Sequence, residues 1–198
     1  MTTLKLSFVL VVSFFFIGFY PQDNDLNLGF ERAGYKAKPL DWYAGGGGKQ
    51  TDLDGYIGKV DDKIVRKGKY SLHLKYVKGD GFGVGTTGID VDRVRGKVIR
   101  YSGWIKTKSV GGEEGKNFNG YAGLWWRVDG PNKKTLAFNN MQDSLINGTR
   151  DWQHFSFELP VDKSATNINF GVLMAGGGEA WFDGLTIDTN GVRFLGED

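Results

Sequence analysis

Residues 121–129 read YAGLWWRVD, and apolar and polar positions alternate along this stretch. The even-numbered positions are all apolar: Ala122, Leu124, Trp126 and Val128. The odd-numbered positions include the side chains Tyr121, Trp125, Arg127 and Asp129. Because successive side chains of a β-strand point to opposite faces, this period of two predicts a strand with one buried face. The other face would present two aromatic rings, a guanidinium group and a carboxylate together.

The same alternation recurs along much of the chain, which indicates that residues 121–129 belong to a larger sheet. The even positions of residues 69–76 are apolar, and within residues 152–159 Phe155, Phe157 and Leu159 share one face. Further candidate strands are residues 25–32, 97–107, 119–129, 135–138, 167–175 and 179–188. No stretch shows a sustained helical period of about 3.6 residues. Many short strands separated by turn residues predict an all-β fold, an antiparallel β-sandwich.

Glycine makes up 31 of the 198 residues, against a usual share of about 7 per cent. Residues 83–88 fit the pattern G-x-G-x-x-G, but a strand-like segment follows instead of a helix, so we interpret them as turn glycines. Residues 42–51 read WYAGGGGKQT, and a P-loop there would need glycine in place of Tyr43 and Ser or Thr in place of Gln50. We predict a mobile rim loop in which Trp42 offers a stacking plane, or else a turn in which Trp42 caps the core.

The N-terminus has the composition of a secretory leader. Lys5 precedes an apolar run over residues 6–20, and polar residues follow it. This run is short for a membrane span, which needs about 20 residues. We therefore predict a signal peptide at residues 1–22, with an uncleaved signal anchor as the alternative. Residues 23–198 would form a single β-sandwich domain, which we expect to be secreted, periplasmic or at the cell surface.

Composition argues against several classes of function. The chain has no cysteine and a formal net charge of +2, so stability must come from core packing, a metal ion or both. This charge gives no indication of nucleic acid or an anionic membrane as a partner. His73 and His154 lie on the polar faces of predicted strands without a nearby nucleophile and carboxylate, so we interpret both as solvated. Acidic residues are plentiful, but their spacing selects no catalytic pair.

The odd-numbered face of residues 121–129 suits a sugar ligand. A sugar ring has an apolar C–H face that stacks on aromatic rings, and its hydroxyls bond to planar polar groups. Residues 136–143 follow after a turn and add side-chain amides. We predict that the ligand-binding residues are Trp42, Tyr121, Trp125, Arg127, Asp129, Asn140 and Gln142. The alternative is structural: Trp125 packs beneath a loop, and Arg127 forms a surface ion pair with Asp129.

Several motifs resemble those of one known family, the calcium-containing carbohydrate-binding modules with the galactose-binding-like jelly-roll fold. The motifs stand, in order, at residues 27–31 (NLGFE), 68–72 (GKYSL), 101–107 (YSGWIKT) and 180–185 (AWFDGL). A narrower resemblance is to the β-sandwich that precedes bacterial erythromycin-esterase-like and tail-specific-protease-like catalytic domains. It rests on residues 122–130, 137–142, 148–152 and 169–174. Together the two resemblances cover most of residues 25–188.

The resemblance implies a structural calcium ion that bridges the first and last strands. The side chains that match the family's ligands are Glu31 and Asp183, and backbone carbonyls would complete the six to eight oxygen ligands of calcium. The alternative is that Glu31 pairs with Arg32 or a nearby lysine.

The predicted function is that of a secreted, non-catalytic carbohydrate-binding module whose partner is a polysaccharide or glycan. A first alternative is a structural or protein-docking accessory module for a hydrolase on a separate chain. A second alternative is a jelly-roll glycosidase or lyase. We expect no nucleic acid as a partner, and no membrane contact beyond the leader.

Overall fold

The structure is a computed structural model that describes residues 26–47, 55–79, 81–111, 120–144, 146–189 and 192–195. The predicted leader at residues 1–22 lies outside these ranges. The described strands are β1 (Tyr43–Gly47), β2 (Tyr56–Asp61), β3 (Ser71–Tyr76), β4 (Phe82–Gly88), β5 (Val98–Val110), β6 (Ala122–Asp129), β7 (Thr135–Asn139), β8 (Gly148–Pro160), β9 (Asn167–Ala175), β10 (Glu179–Thr189) and β11 (Val192–Leu195). Short 3-10 turns lie at Tyr35–Ala37, Val91–Arg93 and Pro131–Lys133. No helix among the described residues is long and apolar enough to cross a membrane.

The strands form two antiparallel layers, which confirms the predicted all-β sandwich. The strands are hydrogen-bonded in one continuous order, β7-β6-β9-β4-β1-β2-β3-β10-β5-β8, with β11 paired to β10. We name the layer β7-β6-β9-β4-β1 sheet I and the layer β2-β3-β10-β5-β8 sheet II. The layers are joined where β1 meets β2, at the single register pair Gly45 with Ile57. Lys38 reinforces this junction, because its Nζ donates to the carbonyls of Ala44 (3.0 Å) and Gly58 (3.3 Å).

The core lies between the two sheets and is built by the period-two alternation. On β6, Leu124 and Trp126 point inward and are fully buried, as are Phe170 on β9 and Tyr101 on β5. Trp126 stacks on Phe170 with ring centroids 4.8 Å apart, and Tyr101 approaches both rings edge-on or tilted. Burial of each such side chain stabilises the fold by about 1.5–3 kcal/mol. The core therefore requires no disulfide.

The predicted strand at residues 25–32 is wrong. Leu26, Leu28 and Phe30 do alternate into the core, but Asn27 and Phe30 have positive φ angles of 48° and 61°, which an extended strand does not allow. The Asn27 side chain holds this irregular segment. Its Nδ2 donates to the carbonyls of Arg32 (2.9 Å) and Leu40 (2.8 Å), and its Oδ1 accepts from the Arg32 amide (3.0 Å).

The interpretation of residues 83–88 as turn glycines is also wrong, because they belong to β4. The glycines serve close packing between the sheets. A Cβ added to Gly83 would lie 2.7 Å from the ring of Tyr56, and one added to Gly85 would collide with Leu72. The strand therefore uses glycine because larger residues would not fit against the core.

Candidate functional site

The described part of the glycine-rich stretch, Tyr43–Gly47, is strand β1 and not a rim loop, and this places Trp42 in the core. The rest of the predicted loop, residues 48–51, lies outside the described residues. Trp42 is 8% exposed, and its Nε1 donates to the carbonyl of Leu26 at 2.9 Å. Its ring meets Phe30 and Phe170 edge-on at 5.0 and 5.8 Å. The prediction that Trp42 stacks on a ligand is therefore corrected, since the ring is buried and packs against two core rings. The alternative, in which Trp42 packs against the core, describes its position.

The residue after Trp42 points the opposite way and meets a group of side chains on the outer surface of sheet I. We name this surface the aromatic face, and define it by Tyr43, Phe82, Val84, Tyr121, Trp125, Arg127, Asp129, Phe138, Asn169 and Leu173. The register pairs Tyr43 with Thr86, Val84 with Leu173, and Trp125 with Gly171 across strands β1, β4, β9 and β6. Strand pairing therefore brings together residues that are far apart in the sequence.

Glycines let two of these rings lie against bare backbone. The hydroxyl of Tyr43 donates to the carbonyl of Gly46 at 2.6 Å, and a Cβ on Gly45 would lie 3.2 Å from that hydroxyl. A Cβ on Gly47 would lie 2.5 Å from the ring of Phe82. Both rings are only half-buried. The sequence prediction missed Tyr43 and Phe82, although the alternation of Trp42 and Tyr43 was the available signal.

Trp125 forms the floor of the aromatic face. It is 5% exposed and packs with Val84 and Leu173, while Tyr43, Phe82 and Tyr121 surround this cluster. Burial raises the pKa of Tyr121 to about 12, with a further contribution from Asp143, so its hydroxyl stays protonated and can donate. The Nε1 of Trp125 finds no hydrogen-bond acceptor in the described part of the chain. The expectation of Trp125 as an open stacking ring is therefore corrected: it offers a buried N–H group, not a free face.

The polar end of the aromatic face is the pair Arg127 and Asp129. Nε of Arg127 lies 2.8 Å from Oδ1 of Asp129, and both side chains are mostly covered. Thr135 also approaches Oδ1 of Asp129, at 3.4 Å. Asn169, which the sequence prediction missed, is the cross-strand neighbour of Arg127, and Phe138 is its neighbour on the other side. The structure therefore forms the ion pair of the structural alternative, at one end of the aromatic cluster.

Asn140 and Gln142 lie in the turn after β7. Asn140 is buried, and its Oδ1 accepts from the amide of Gln142 at 3.3 Å. A Cβ on Gly123 would lie 3.1 Å from the carbonyl of Asn140, so this turn borders the aromatic face. Gln142 is exposed. The Asn140 oxygen is hydrogen-bonded within the turn. Of the two side-chain amides, that of Gln142 is therefore the more accessible.

Glu31 and Asp183 lie close together beside the 66–70 loop. Oδ2 of Asp183 accepts from the amides of Arg66 (2.8 Å) and Lys67 (3.0 Å). Glu31 accepts from the amide of Lys69, at 2.9 Å to Oε2. The Arg32 guanidinium bonds to Asp41 at 2.7 Å, and the pairing of Glu31 with Arg32 or a nearby lysine stays the alternative to a metal ion.

The same two carboxylates allow a test of the predicted calcium. Asp183 is 1% exposed, and burial, with the Glu31 charge adding to it, raises its pKa to about 6. Two adjacent carboxylates in a buried site are the charge and ligand type that a hard cation takes. The described residues contain no group of three or more His, Cys, Asp or Glu side chains that could hold a metal. The two carboxylates are oxygen ligands of the type that calcium takes, but they already accept from backbone amides and do not form a calcium site alone, so backbone carbonyls would have to supply the remaining ligands.

The outer surface of sheet II, which we name the charged face, differs in composition. Its outward positions include Lys59, Asp61, His73, Lys75, Arg100, Trp104, Lys106, Lys108, His154, Glu158, Glu179, Trp181, Asp183 and Asp188. The rings there have partners within the protein. His73 stacks on Trp181 at 4.6 Å with an interplanar angle of 1°, and the guanidinium of Arg66 lies 4.2 Å above the ring of Trp104.

The two histidines have different environments on this face. His154 is exposed, as predicted, whereas the prediction of a solvated His73 is wrong. His73 is buried and its Nε2 lies 2.9 Å from Oε2 of Glu179. Burial lowers the pKa of His73, and the Glu179 carboxylate partly offsets this effect. His73 therefore packs as a structural residue against Trp181.

No protein-family profile matches the chain. Among curated proteins, an uncharacterized HTH-type transcriptional regulator of Bacillus subtilis, YbfP, is 34% identical over 132 residues. This match covers 65% of the present chain and 42% of the regulator, so the chain spans less than half of that relative's length.

Three solved structures have a similar fold. They are the CBM22-1 xylan-binding domain of Paenibacillus barcinonensis Xyn10C (14% identity, TM-score 0.53, 81% of this chain and 90% of that chain), the C-terminal family 22 carbohydrate-binding module of Clostridium thermocellum Xyn10B (12%, 0.53, 85% and 98%), and TmCBM61 in complex with β-1,4-galactotriose (13%, 0.51, 86% and 100%). At these identities the likeness is one of fold. The sandwich has a jelly-roll fold similar to that of these three domains, and the first resemblance implied such a fold.

Proposed function

We propose that this chain binds carbohydrate on the aromatic face of sheet I without catalysing a reaction. The observation that carries the proposal is the arrangement on that face: half-buried rings of Tyr43, Phe82 and Tyr121 beside the polar pair Arg127 and Asp129. The fold supports it, because similar folds occur in domains named for xylan or bound to galactotriose.

The face has the two kinds of surface that a sugar needs. Its rings provide an apolar plane for the C–H face of a sugar, and stacking of this kind is tolerant of the sugar's identity. The polar end provides charge-assisted donors and acceptors for hydroxyl groups. The Nε1 of Trp125 is a donor without a protein acceptor among the described residues, and a buried donor of this kind is stabilised when a ligand or a water molecule accepts from it. Asn169 adds an amide next to Arg127.

The absence of catalysis is part of the proposal. Glycoside hydrolysis by the common mechanisms uses two carboxyl groups on either side of the bond that breaks. The described strands of sheet I contain one carboxylate, Asp129, and it is bonded to Arg127. Asp143, which interacts with Tyr121, lies in the turn after β7 and not on these strands. The neutralised carboxylate on the strands supports binding over hydrolysis.

We further propose a structural calcium ion at Glu31 and Asp183, and a secreted or cell-surface location. The calcium proposal is supported by the two adjacent carboxylates beside the 66–70 loop. The proposed location rests on the leader-like composition of residues 1–22. The chemistry that a bound calcium ion would supply is neutralisation of these carboxylates, which would fix the 66–70 loop to the sandwich.

The proposal is tested by affinity electrophoresis or calorimetry of the chain from about residue 23 against a panel of polysaccharides and oligosaccharides. Tyr121→Ala is the informative variant, because it removes a half-buried ring from the aromatic face. By analogy with ring stacking on bases, we expect a loss of about 1–3 kcal/mol in binding. Tyr35→Ala is the matched control, since Tyr35 is 84% exposed in a turn outside sheet I.

Each outcome of this experiment decides between the candidate functions. Binding that Tyr121→Ala weakens and Tyr35→Ala leaves unchanged supports the proposal. Binding by a folded wild type that is equal in both variants would overturn the assignment of the site. A folded wild type that retains no saccharide would overturn the function itself and favour the protein-docking alternative.

A further inference from the structure

The strands of sheet I carry very little charge. Within the described strands β1, β4, β6, β7 and β9, the only charged residues are Arg127 and Asp129. They lie on the same strand, two positions apart, and therefore on the same face. Sheet II differs, because each of its strands β2, β3, β5, β8 and β10 carries charged residues on the outer surface. The low charge of the aromatic face is thus a local property, not an average of the molecule.

The charge of Arg127 is neutralised in place. Its Nε lies 2.8 Å from Oδ1 of Asp129, with the side chains 18% and 14% exposed. At this degree of burial the pair is less screened by water and salt than a surface ion pair. A ligand that reaches the polar end of the face therefore meets a neutral pair that can donate and accept, rather than a free cation.

We infer that Asp129 is a specificity-determining residue that restricts the aromatic face to uncharged saccharides. This inference rests on the proposed function. A sugar carboxylate that approached Arg127 would have to displace Asp129 or lie beside it. Displacement leaves a mostly buried carboxylate without its partner, and proximity places two like charges together. Hydroxyl groups incur neither cost, because they donate to Asp129 and accept from Arg127 while the pair stays intact. Specificity then arises from a repulsive element as well as from attraction.

The variant Asp129→Asn tests this directly, because it keeps the shape of the side chain and removes the negative charge beside Arg127. The probes are neutral polysaccharides (arabinoxylan and β-1,4-galactan) and acidic ones (polygalacturonate and alginate), in affinity gels at 50 and 500 mM NaCl. We expect the wild type to be retarded only by neutral polysaccharides, equally at both salt concentrations. We expect Asp129→Asn to bind an acidic polysaccharide about tenfold or more tightly than the wild type at 50 mM NaCl, and to lose this gain at 500 mM.

Two further variants separate a local effect from a change in net charge. Glu158→Gln makes the same change of charge on the charged face, where Glu158 is exposed, so it should gain no binding to acidic polysaccharides. The double variant Arg127→Gln with Asp129→Asn should not bind acidic polysaccharides more tightly than the wild type, because it also removes the guanidinium cation. Melting temperatures establish that each variant is folded. If Asp129→Asn does not fold, the salt dependence of wild-type binding to acidic polysaccharides still tests the inference.

Three results would overturn the inference. These are salt-sensitive binding of an acidic polysaccharide by the wild type, no gain in a folded Asp129→Asn, and an equal gain in Glu158→Gln. Failure of the proposed function looks different, because neither the wild type nor any variant would then be retarded by any polysaccharide.

Discussion

The two outer surfaces of the sandwich both carry aromatic rings, but they use them differently. On the charged face, Trp181 is stacked under His73 and donates through Nε1 to Asp61 at 2.8 Å. Trp104 on the same face lies beneath Arg66. On the aromatic face, Phe82 and Tyr121 pack against the cluster of Trp125, Val84 and Leu173 and stay half-buried.

This difference shows that aromatic content alone does not locate a binding surface. A ring is available to a ligand when no side chain of the protein already covers its face. The charged face uses its rings to stabilise the fold, while the aromatic face supports its rings on glycine backbone and leaves them half-covered. The predictions below test this division of roles.

The largest expected effect is at Gly171, which lies beside Trp125 in sheet I. A Cβ at this position would collide with the carbonyl oxygen of Gly85 on the neighbouring strand. Residue 171 and Gly85 both lie in paired strands, so their backbones cannot easily move apart. We therefore expect Gly171→Ala to lower the free energy of unfolding by about 3 kcal/mol or more. Urea denaturation measures this. Gly148→Ala is the control for backbone strain alone, since Gly148 has a φ of 70° and no atom lies within 4 Å of its added Cβ. It should cost about 1–2 kcal/mol, and an equal loss in both variants would contradict the close-approach argument.

Asp183 on the charged face should make stability depend on pH. Its folded-state pKa is raised from 3.8 to about 6, so its contribution stabilises the fold at low pH and is lost as the pH rises through 6. In chelator, the unfolding free energy of the wild type should fall relative to Asp183→Asn by about 2–3 kcal/mol between pH 4 and 7. Urea denaturation at each pH measures the difference. If the unfolding free energy of the wild type rose relative to that of Asp183→Asn between pH 4 and 7, the raised pKa of Asp183 would be refuted.

Calcium should reverse this dependence, because it binds the ionised carboxylate. At pH 7, saturating calcium should raise the melting temperature of the wild type and leave that of Asp183→Asn unchanged. The stabilisation should weaken as the pH falls below about 6, the pKa of the Asp183 carboxyl. Equal effects of calcium on both proteins would rule out Asp183 as a ligand.

A smaller effect is expected at Gly47, where an added Cβ would lie 2.5 Å from the ring of Phe82. The ring is the mobile end of a side chain, so Gly47→Ala should move it with little loss of stability. We expect saccharide binding to weaken about tenfold, which corresponds to about 1.4 kcal/mol. Gly45→Ala is the graded comparison, because its Cβ meets Tyr43 less closely, at 3.2 Å. Calorimetric titration that shows no change in Gly47→Ala would mean that the position of Phe82 is unimportant.

The smallest effect is expected on the charged face, at Arg66. Arg66→Gln removes the cation above Trp104 and should lower the free energy of unfolding by about 0.5–1 kcal/mol. Saccharide binding should not change, since Trp104 lies on the opposite layer from the aromatic face. Weaker binding in a folded Arg66→Gln would show that the charged face takes part in recognition.

Much of the fold could be predicted from the alternation of side chains. Strand β9 (Asn167–Ala175) has the predicted bounds, and β6, β7 and β10 differ from prediction by a few residues at most. The errors have physical causes. Strand β1 consists largely of glycine, which has no side chain and therefore shows no alternation. Residues 26–30 are all buried in an irregular segment held by the Asn27 side chain, so the apolar alternation of Leu26, Leu28 and Phe30 did not indicate a strand.

The site was harder to predict than the fold. Arg127 and Asp129 were placed correctly on one face, because a single strand carries both. Tyr43, Phe82 and Asn169 were missed because they lie on three other strands, and only the pairing register brings them beside Tyr121. Trp42 was misassigned because its neighbour Tyr43, not Trp42, points outward.

The central claim is that the aromatic face, and not the charged face, binds saccharide. The most direct measurement is an NMR titration of the 15N-labelled protein with an oligosaccharide that it binds. The indole N–H signals of the six tryptophans are followed, and single Trp→Phe variants assign them. The account predicts that the Trp125 signal shifts most, because its Nε1 is a buried donor on the aromatic face, while the Trp104 and Trp181 signals stay in place. Shifts at Trp104 or Trp181 with an unchanged Trp125 signal would contradict the account and assign binding to the opposite surface.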